Sequence, residues 1–497
     1  MIEPEGRTVG RRIDWLWPLL TLVALTAGCA QNPVTGANDF VLMSEDQELA
    51  IGRQASKEVA KQYHRYDDPA LQRYVNDVGR RLAAHSHRPG LVYRFTVLDT
   101  PEVNAFALPG GYIYIHRGLL AFLNSEAQLA AILGHEIGHV TARHAVRQYT
   151  ARQAAGIGLT LGRILVPELG NAGVGNLYQM LGGALLSGYG REQELEADRL
   201  GVEYMARSGY EPRAMIEVLD VLKNQEIFEA ARARAEGRKP RAYHGLFASH
   251  PDNDTRLQQV VAEARGLRVR GLRREDRVAF LKHLDGLTYG PGATQGVIRG
   301  NAFYHRELGI GIRFPRDWRL ENRRDRLIAR APDGAALLQV LLADLNKRIG
   351  PREFMRARMG LADPIEGKRI DAGRLPGYTA LAWTQTPYGR RLTRFTVILY
   401  DGKAYIFAGA RRAPGERRRF RTAFLNIALS LHPLNGEEWR LAAERHLRLR
   451  AAKAGVRYAA LAARSGLGRD AADRLRLLNQ QFPDGEPRPG MLLKIVE

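Results

Sequence analysis

Residues 125–144 read SEAQLAAILGHEIGHVTARH. His135 and His139 are four positions apart, so on a helix they share one face, one turn from each other, and can hold a single metal ion. The helix itself is well specified. Leu129, Ile132, Leu133 and Val140 recur at helical spacing and predict an apolar stripe facing a core, and Ser125 followed by Gln128 fits a capping box at its start. Neutral imidazoles suit Zn²⁺, and a carboxylate beside them can take the proton of a water the ion has acidified. Glu136 is therefore the candidate catalytic base, with His135 and His139 as metal ligands. His144 is not assigned to the metal, because on a straight helix it lies about 140° from His139 and about 180° from His135 and turns toward the apolar stripe.

A hydrolytic zinc takes three protein ligands and keeps a fourth position open. Residues 191–198, REQELEAD, offer several carboxylates. Glu194 and Asp198 share one helix face, while Glu192 and Glu196 lie about 200° around from Glu194. Only one set can point at the metal, and geometry alone does not choose between them.

HEIGHVTARH (135–144) followed by REQELEADRLG (191–201) resembles the zinc metallopeptidase family M48, which contains the CAAX prenyl endopeptidase, HtpX and BepA. The resemblance implies a mainly α zincin-type domain with a small β region, one Zn²⁺ per chain, and Glu194 as the third ligand. It makes Asp198 the acceptor that orients a ligand histidine. It also implies a substrate-binding edge strand at Asn104, Ala105 and Phe106. In SHPDNDTR (249–256), His250, with Arg256 in the same segment, resembles a latency gate that enters the open zinc position from a loop.

Around this centre the 497 residues suggest several domains. Cys29 is the only cysteine. Arg7, Arg11 and Arg12 precede an apolar stretch from Trp15 to Leu25 and the small pair Ala27-Gly28, the layout of a signal segment too short to span a bilayer. Leu25-Thr26-Ala27-Gly28-Cys29 resembles a lipoprotein signal, with Cys29 as the lipidated residue and Ala30 in the pattern of outer-membrane sorting. The expected division is a signal peptide at 1–28, a peptidase domain at 29–265, a linker at 266–300, an α+β domain at 301–433 and a small α/β tail at 434–497. In the α+β domain, Asp401-Gly402 between two β-rich runs predicts a type I′ hairpin. The tail is similar to a degenerate LysM module.

The formal charge is +21, dominated by arginine. That excess reads as solvated surface, and no nucleic-acid partner is expected. The function these features point to is a zinc-dependent endopeptidase of the periplasm, lipid-anchored to the outer membrane. Its partners would be misfolded or misassembled envelope proteins and, through the tail, peptidoglycan. The alternative is a non-catalytic lipid-anchored scaffold or chaperone-like factor bound to peptidoglycan.

Overall fold

The computed structural model describes residues 29–36, 38–41, 43–151, 189–236, 256, 269, 271–273, 276–323, 325–361, 364–413 and 417–497. The signal segment and His250 lie outside them. The chain divides into two units, 1–289 with 446–497, and 290–445.

In the first unit, a two-stranded ribbon of β1 (Cys29–Gln31) and β2 (Asn38–Phe40) precedes two helices. The helix Glu45–Gln62 starts at a full capping box made by Ser44 and Gln47. The helix Pro69–Ala83 starts at Asp68, whose carboxylate accepts from the amides of Ala70 and Leu71. Three short strands follow, β3 (Arg94–Leu98), β4 (Ala105–Leu108) and β5 (Tyr112–His116), in the spatial order β3-β5-β4. Pro109-Gly110-Gly111 closes the β4–β5 hairpin, with both glycines at positive φ, a conformation only glycine adopts without cost. β4 lies at one edge of this sheet.

The helix Glu126–Thr141 carries the two histidines, and every residue from Ala127 to Thr141 is buried. It is enclosed on all sides, where the sequence predicts a single apolar stripe. The expected capping box forms only by half. Ser125 Oγ accepts from the Gln128 amide at 3.2 Å, but the Gln128 side chain turns away to accept from the Asn124 amide at 2.7 Å.

The helix Arg191–Arg207 lies almost in backbone contact with it. A Cβ at Gly134 would sit 3.1 Å from the Gly201 carbonyl, and one at Gly138 would sit 2.8 Å from that of Ala197. Gly134 and Gly138, one turn apart, thus face Ala197 and Gly201. This seam of small residues brings Glu194 up to the histidines.

β6 (Thr288–Tyr289) ends the first stretch of this unit. The second unit contains two antiparallel sheets. One, in the order β17-β9-β8-β7, is built from β7 (Val297–Arg299), β8 (Ala302–His305), β9 (Ile310–Arg313) and β17 (His432–Pro433). The other has seven strands in the order β10-β11-β12-β16-β15-β14-β13. These are β10 (Arg319–Asn322), β11 (Leu327–Arg330), β12 (Ala336–Asp344), β13 (Ile365–Ala372), β14 (Leu375–Thr386), β15 (Gly389–Tyr400) and β16 (Lys403–Arg411). Asp401 (φ 46°) and Gly402 (φ 68°) make the expected turn between β15 and β16. The helix Arg417–Leu429 packs Phe420, Phe424 and Ile427 with Leu338, Ile398 and Phe407, while Phe354 and Met355 of the helix Pro351–Ala357 pack with Tyr378, Val397 and Ala404. Each helix therefore serves a different face of the sheet, since Phe407 and Ile398 alternate with Val397 and Ala404 along β15 and β16.

The chain then returns to the first unit. β18 (Arg445–Ala451) pairs antiparallel with β19 (Leu492–Val496), with the helices Tyr458–Ser465 and Ala471–Leu478 between them, and β6 lies on the other side of β18. Lys494, fully buried, donates from Nζ to the carbonyls of Ala121 and Leu123 at 2.6 and 2.7 Å, just before the histidine-bearing helix. The boundaries therefore differ from those expected. The stretch read as a linker holds β6 and β7, residues 434–445 belong with the sheets, and residues 446–497 share the peptidase unit's core.

Candidate metal centre

His135 Nε2 and His139 Nε2 face each other at 3.0 Å. Glu194 Oε2 lies 3.6 Å from the first and its Oε1 lies 3.5 Å from the second. All three side chains are buried, and the three ligand atoms lie within 4.8 Å of one another. A tetrahedral zinc with bonds of about 2.0–2.1 Å has ligand atoms about 3.3 Å apart, so the spacings fit that ion.

The hydrogen bonds behind the histidines fix their tautomers. His135 Nδ1 meets Asp198 Oδ1 at 2.8 Å; a carboxylate only accepts, so Nδ1 carries the proton and Nε2 keeps its lone pair. Asp198 in turn accepts from Arg256 Nε and Nη2 at 2.7 and 2.8 Å. Burial alone would raise the Asp198 carboxyl, but Arg256 and then His135 outweigh it and hold the group far below the usual carboxylate range. Arg256 Nη1 also reaches Glu194 Oε2 at 3.2 Å.

His139 is held by a different device. Its Nδ1 lies 2.7 Å from His144 Nδ1, and His144 Nε2 lies 3.1 Å from Glu196 Oε2. Because Glu196 accepts, a neutral His144 carries its proton on Nε2 and accepts at Nδ1, so His139 must donate from Nδ1 and present its lone pair at Nε2. Burial pushes the His144 pKa down, which favours that neutral ring. The hydrogen bond from His144, with Arg147 at 2.8 Å, brings Glu196 down to about 2. Both Nε2 lone pairs therefore point toward the Glu194 carboxylate, and an electron-rich trio of this kind calls for a cation.

A straight helix would turn His144 toward the apolar stripe, and the structure places it against His139 instead. The helix ends at Thr141 and Arg143 takes a left-handed conformation, φ 54°, so a straight-helix projection no longer applies. Arg143 is held there by Glu48 at 2.8 Å and by the Met43 carbonyl. His144→Phe is expected to weaken zinc binding about 10–100-fold, and His144→Gln, which keeps an acceptor, to recover part of that loss. Competition against a chromophoric chelator measures both; equal affinity in parent and His144→Phe would remove His144 from the metal's support.

Glu136 is buried beside the pair, and the Tyr189 ring stacks on His139 at 4.1 Å. A narrow cleft is lined by Ala107, Leu108 and Pro109 at the end of β4, together with His139 and Tyr189. Asn104 precedes that edge strand, Ala105 is buried, and Phe106 is half-buried against Tyr114. On the other side, an apolar recess formed by Ile132, Met215, Val218, Leu219 and Leu222 opens on His135, Glu136 and Arg256.

Two imidazoles and a carboxylate from neighbouring helices, with a further carboxylate between the imidazoles in sequence, define the class as a metallopeptidase of the zincin type. Residues 69–264 match the model of peptidase family M48. The chain is 32% identical over 237 residues to the beta-barrel assembly-enhancing protease of Yersinia pestis, covering 46% of each protein. It is 30% identical to that of Escherichia coli, covering 48% of this chain and 47% of the relative. Over 157 residues it is 34% identical to the mitochondrial metalloendopeptidase OMA1 of Arabidopsis thaliana, covering 31% of each. The chain thus spans about half the length of these two beta-barrel assembly-enhancing proteases. Among the described residues, no helix is long and apolar enough to cross a membrane.

Proposed function

We propose that this protein is a zinc-dependent metalloendopeptidase of the cell envelope that degrades misfolded or misassembled periplasmic and outer-membrane proteins. The observation that carries the reading is the convergence of His135, His139 and Glu194, with Glu136 beside them. Zinc held by His135, His139 and Glu194 would supply Lewis acidity for the peptide carbonyl and the attacking water. Glu136 takes that water's proton on its carboxylate and delivers it to the leaving amine. Asp198 and His144 keep the ligand tautomers fixed. The β4 edge at Asn104, Ala105 and Phe106 offers main-chain hydrogen bonds to an extended substrate, which suits unfolded chains of many sequences.

The envelope setting rests on the lipoprotein-like segment ending at Cys29 and on the names of the Yersinia and Escherichia relatives, proteases that enhance beta-barrel assembly. The β-α-α-β order of the tail supports the LysM-like reading and peptidoglycan as its ligand. The full chain is expected to sediment with purified peptidoglycan sacculi; a chain that stays in the supernatant refutes that part.

His250 precedes Arg256 by six residues, a reach of at most about 20 Å from a side chain already inside the site. In this reading His250 holds the enzyme latent. Purified zinc-loaded protein is expected to degrade unfolded casein, and His250→Ala to degrade it faster. If neither cleaved casein, or if His250→Ala were no faster than the parent, the protease or its gate, respectively, would fall.

A further inference from the structure

Between residues 290 and 445 the chain has 29 Lys and Arg against 15 Asp and Glu, so this unit holds most of the positive excess. Most of those side chains are solvated, but Arg394 on β15 is only 6% exposed. Its Nη1 donates to Thr379 Oγ1 at 3.0 Å. Its Nη2 lies 3.9 Å from Glu366 Oε2, and its Nε has no hydrogen-bond partner among the described residues. The same Glu366 oxygen is already engaged by Arg421 of the helix Arg417–Leu429. One carboxylate therefore serves two guanidiniums and leaves donors of the buried one unmatched, an arrangement that costs free energy unless another acceptor enters.

The way Glu366 gets there is also unusual. β13 and β14 change register between Ile365 and Lys368, and Glu366 sits in that bulge at φ 52°, a left-handed conformation that a glutamate rarely adopts. Bulges re-aim side chains, and this one turns the carboxylate onto the arginine pair. Burial lowers the Arg394 pKa, with the Arg421 charge adding to it, so the positive charge there is only partly offset by Glu366.

We propose that Arg394 and Arg421 form a binding site for a phosphate group, in which Glu366 is the resident stand-in. A phosphate brings at least three acceptor oxygens and up to two charges, enough for the Arg394 Nε–Nη edge and for Arg421 together. The side chains of Glu366 and Arg421 are 49% and 43% exposed, so the carboxylate has solvent to swing into when a ligand enters.

The test uses the full chain and inorganic phosphate, titrated at constant ionic strength and read by the thermal unfolding midpoint. A saturable rise is expected. Arg421→Gln and Arg394→Gln should raise the half-saturating concentration at least tenfold, and Glu366→Gln, which removes the competing charge, should lower it severalfold. Arg352→Gln, at an exposed position elsewhere in this unit, should change nothing. Arg421 is partly exposed, so its substitution keeps the test valid if Arg394→Gln fails to fold. Absence of a saturable response in the parent, an Arg421→Gln response equal to the parent's, or weaker binding by Glu366→Gln would overturn the proposal. Vesicles separate the two sources of the phosphate. If it belongs to a lipid headgroup, phosphatidylglycerol vesicles will sediment the parent more than Arg421→Gln, and free phosphate will compete; equal sedimentation alongside a saturable phosphate response assigns the site to free phosphate.

Discussion

Glu136→Gln is expected to keep the metal and lose peptide cleavage by roughly 10²–10⁴-fold, the range in which a positioned general base contributes. Glutamine has nearly the same volume, so a residue only 1% exposed is replaced without a cavity. What it lacks is a site that can take a proton. The ligand atoms belong to His135, His139 and Glu194, so zinc content should stay at one per chain. Rates on a fluorogenic unfolded protein and metal analysis of the same samples check both halves. Cleavage at the parent's rate would mean that another group deprotonates the water.

Arg256→Leu is expected to cost the metal-free protein about 3–5 kcal/mol, the usual consequence of removing one partner from a buried charge cluster. Asp198 and Glu194 are 1% and 0% exposed, and Arg256 bonds to both. Without it, two carboxylates remain in a dry site with no cationic side chain bonded to both. Zinc would answer the Glu194 charge, so the zinc-loaded variant should lose less. The pH dependence has a definite sign. In the parent, the depressed Asp198 group contributes stability that is present above its usual pKa of about 4 and is lost as the pH falls through the folded value. In the variant only His135 opposes the effect of burial, so the carboxyl is less depressed, and the gap between the two proteins is widest near neutral pH and narrows below about pH 4. Urea unfolding with and without zinc measures this, and a loss below 1 kcal/mol at neutral pH would show that Arg256 is not what holds these carboxylates.

How much of this was legible depends on distance along the chain. His135, Glu136 and His139 are readable because helical spacing alone puts the two imidazoles on one face. Glu194 needed the family resemblance, since Glu192 and Glu196 satisfy the same spacing argument, and what distinguishes it is the Gly134–Gly201 and Gly138–Ala197 approach of two helices. His144 was misplaced because a left-handed Arg143, held by Glu48 from nearly a hundred residues earlier, breaks the helix just before it. The half-formed cap has a similar origin. Gln128 bonds to Glu217 and Gln480 as well as to Asn124, and those partners are invisible in the local sequence. The hairpin at Asp401-Gly402 is a local signal and reads correctly, whereas the tail's attachment through Lys494 to carbonyls more than 370 residues away does not.

Two imidazoles and the Glu194 carboxylate are expected to hold one ion. Zinc K-edge absorption on the zinc-loaded protein tests it directly, alongside the same measurement on Glu194→Gln. The expected result is one zinc per chain with two imidazole nitrogens and oxygen ligands at about 2.0–2.1 Å, and weaker binding with altered coordination in the variant. A spectrum and affinity unchanged by Glu194→Gln, or a purified chain that takes up no zinc, would contradict it.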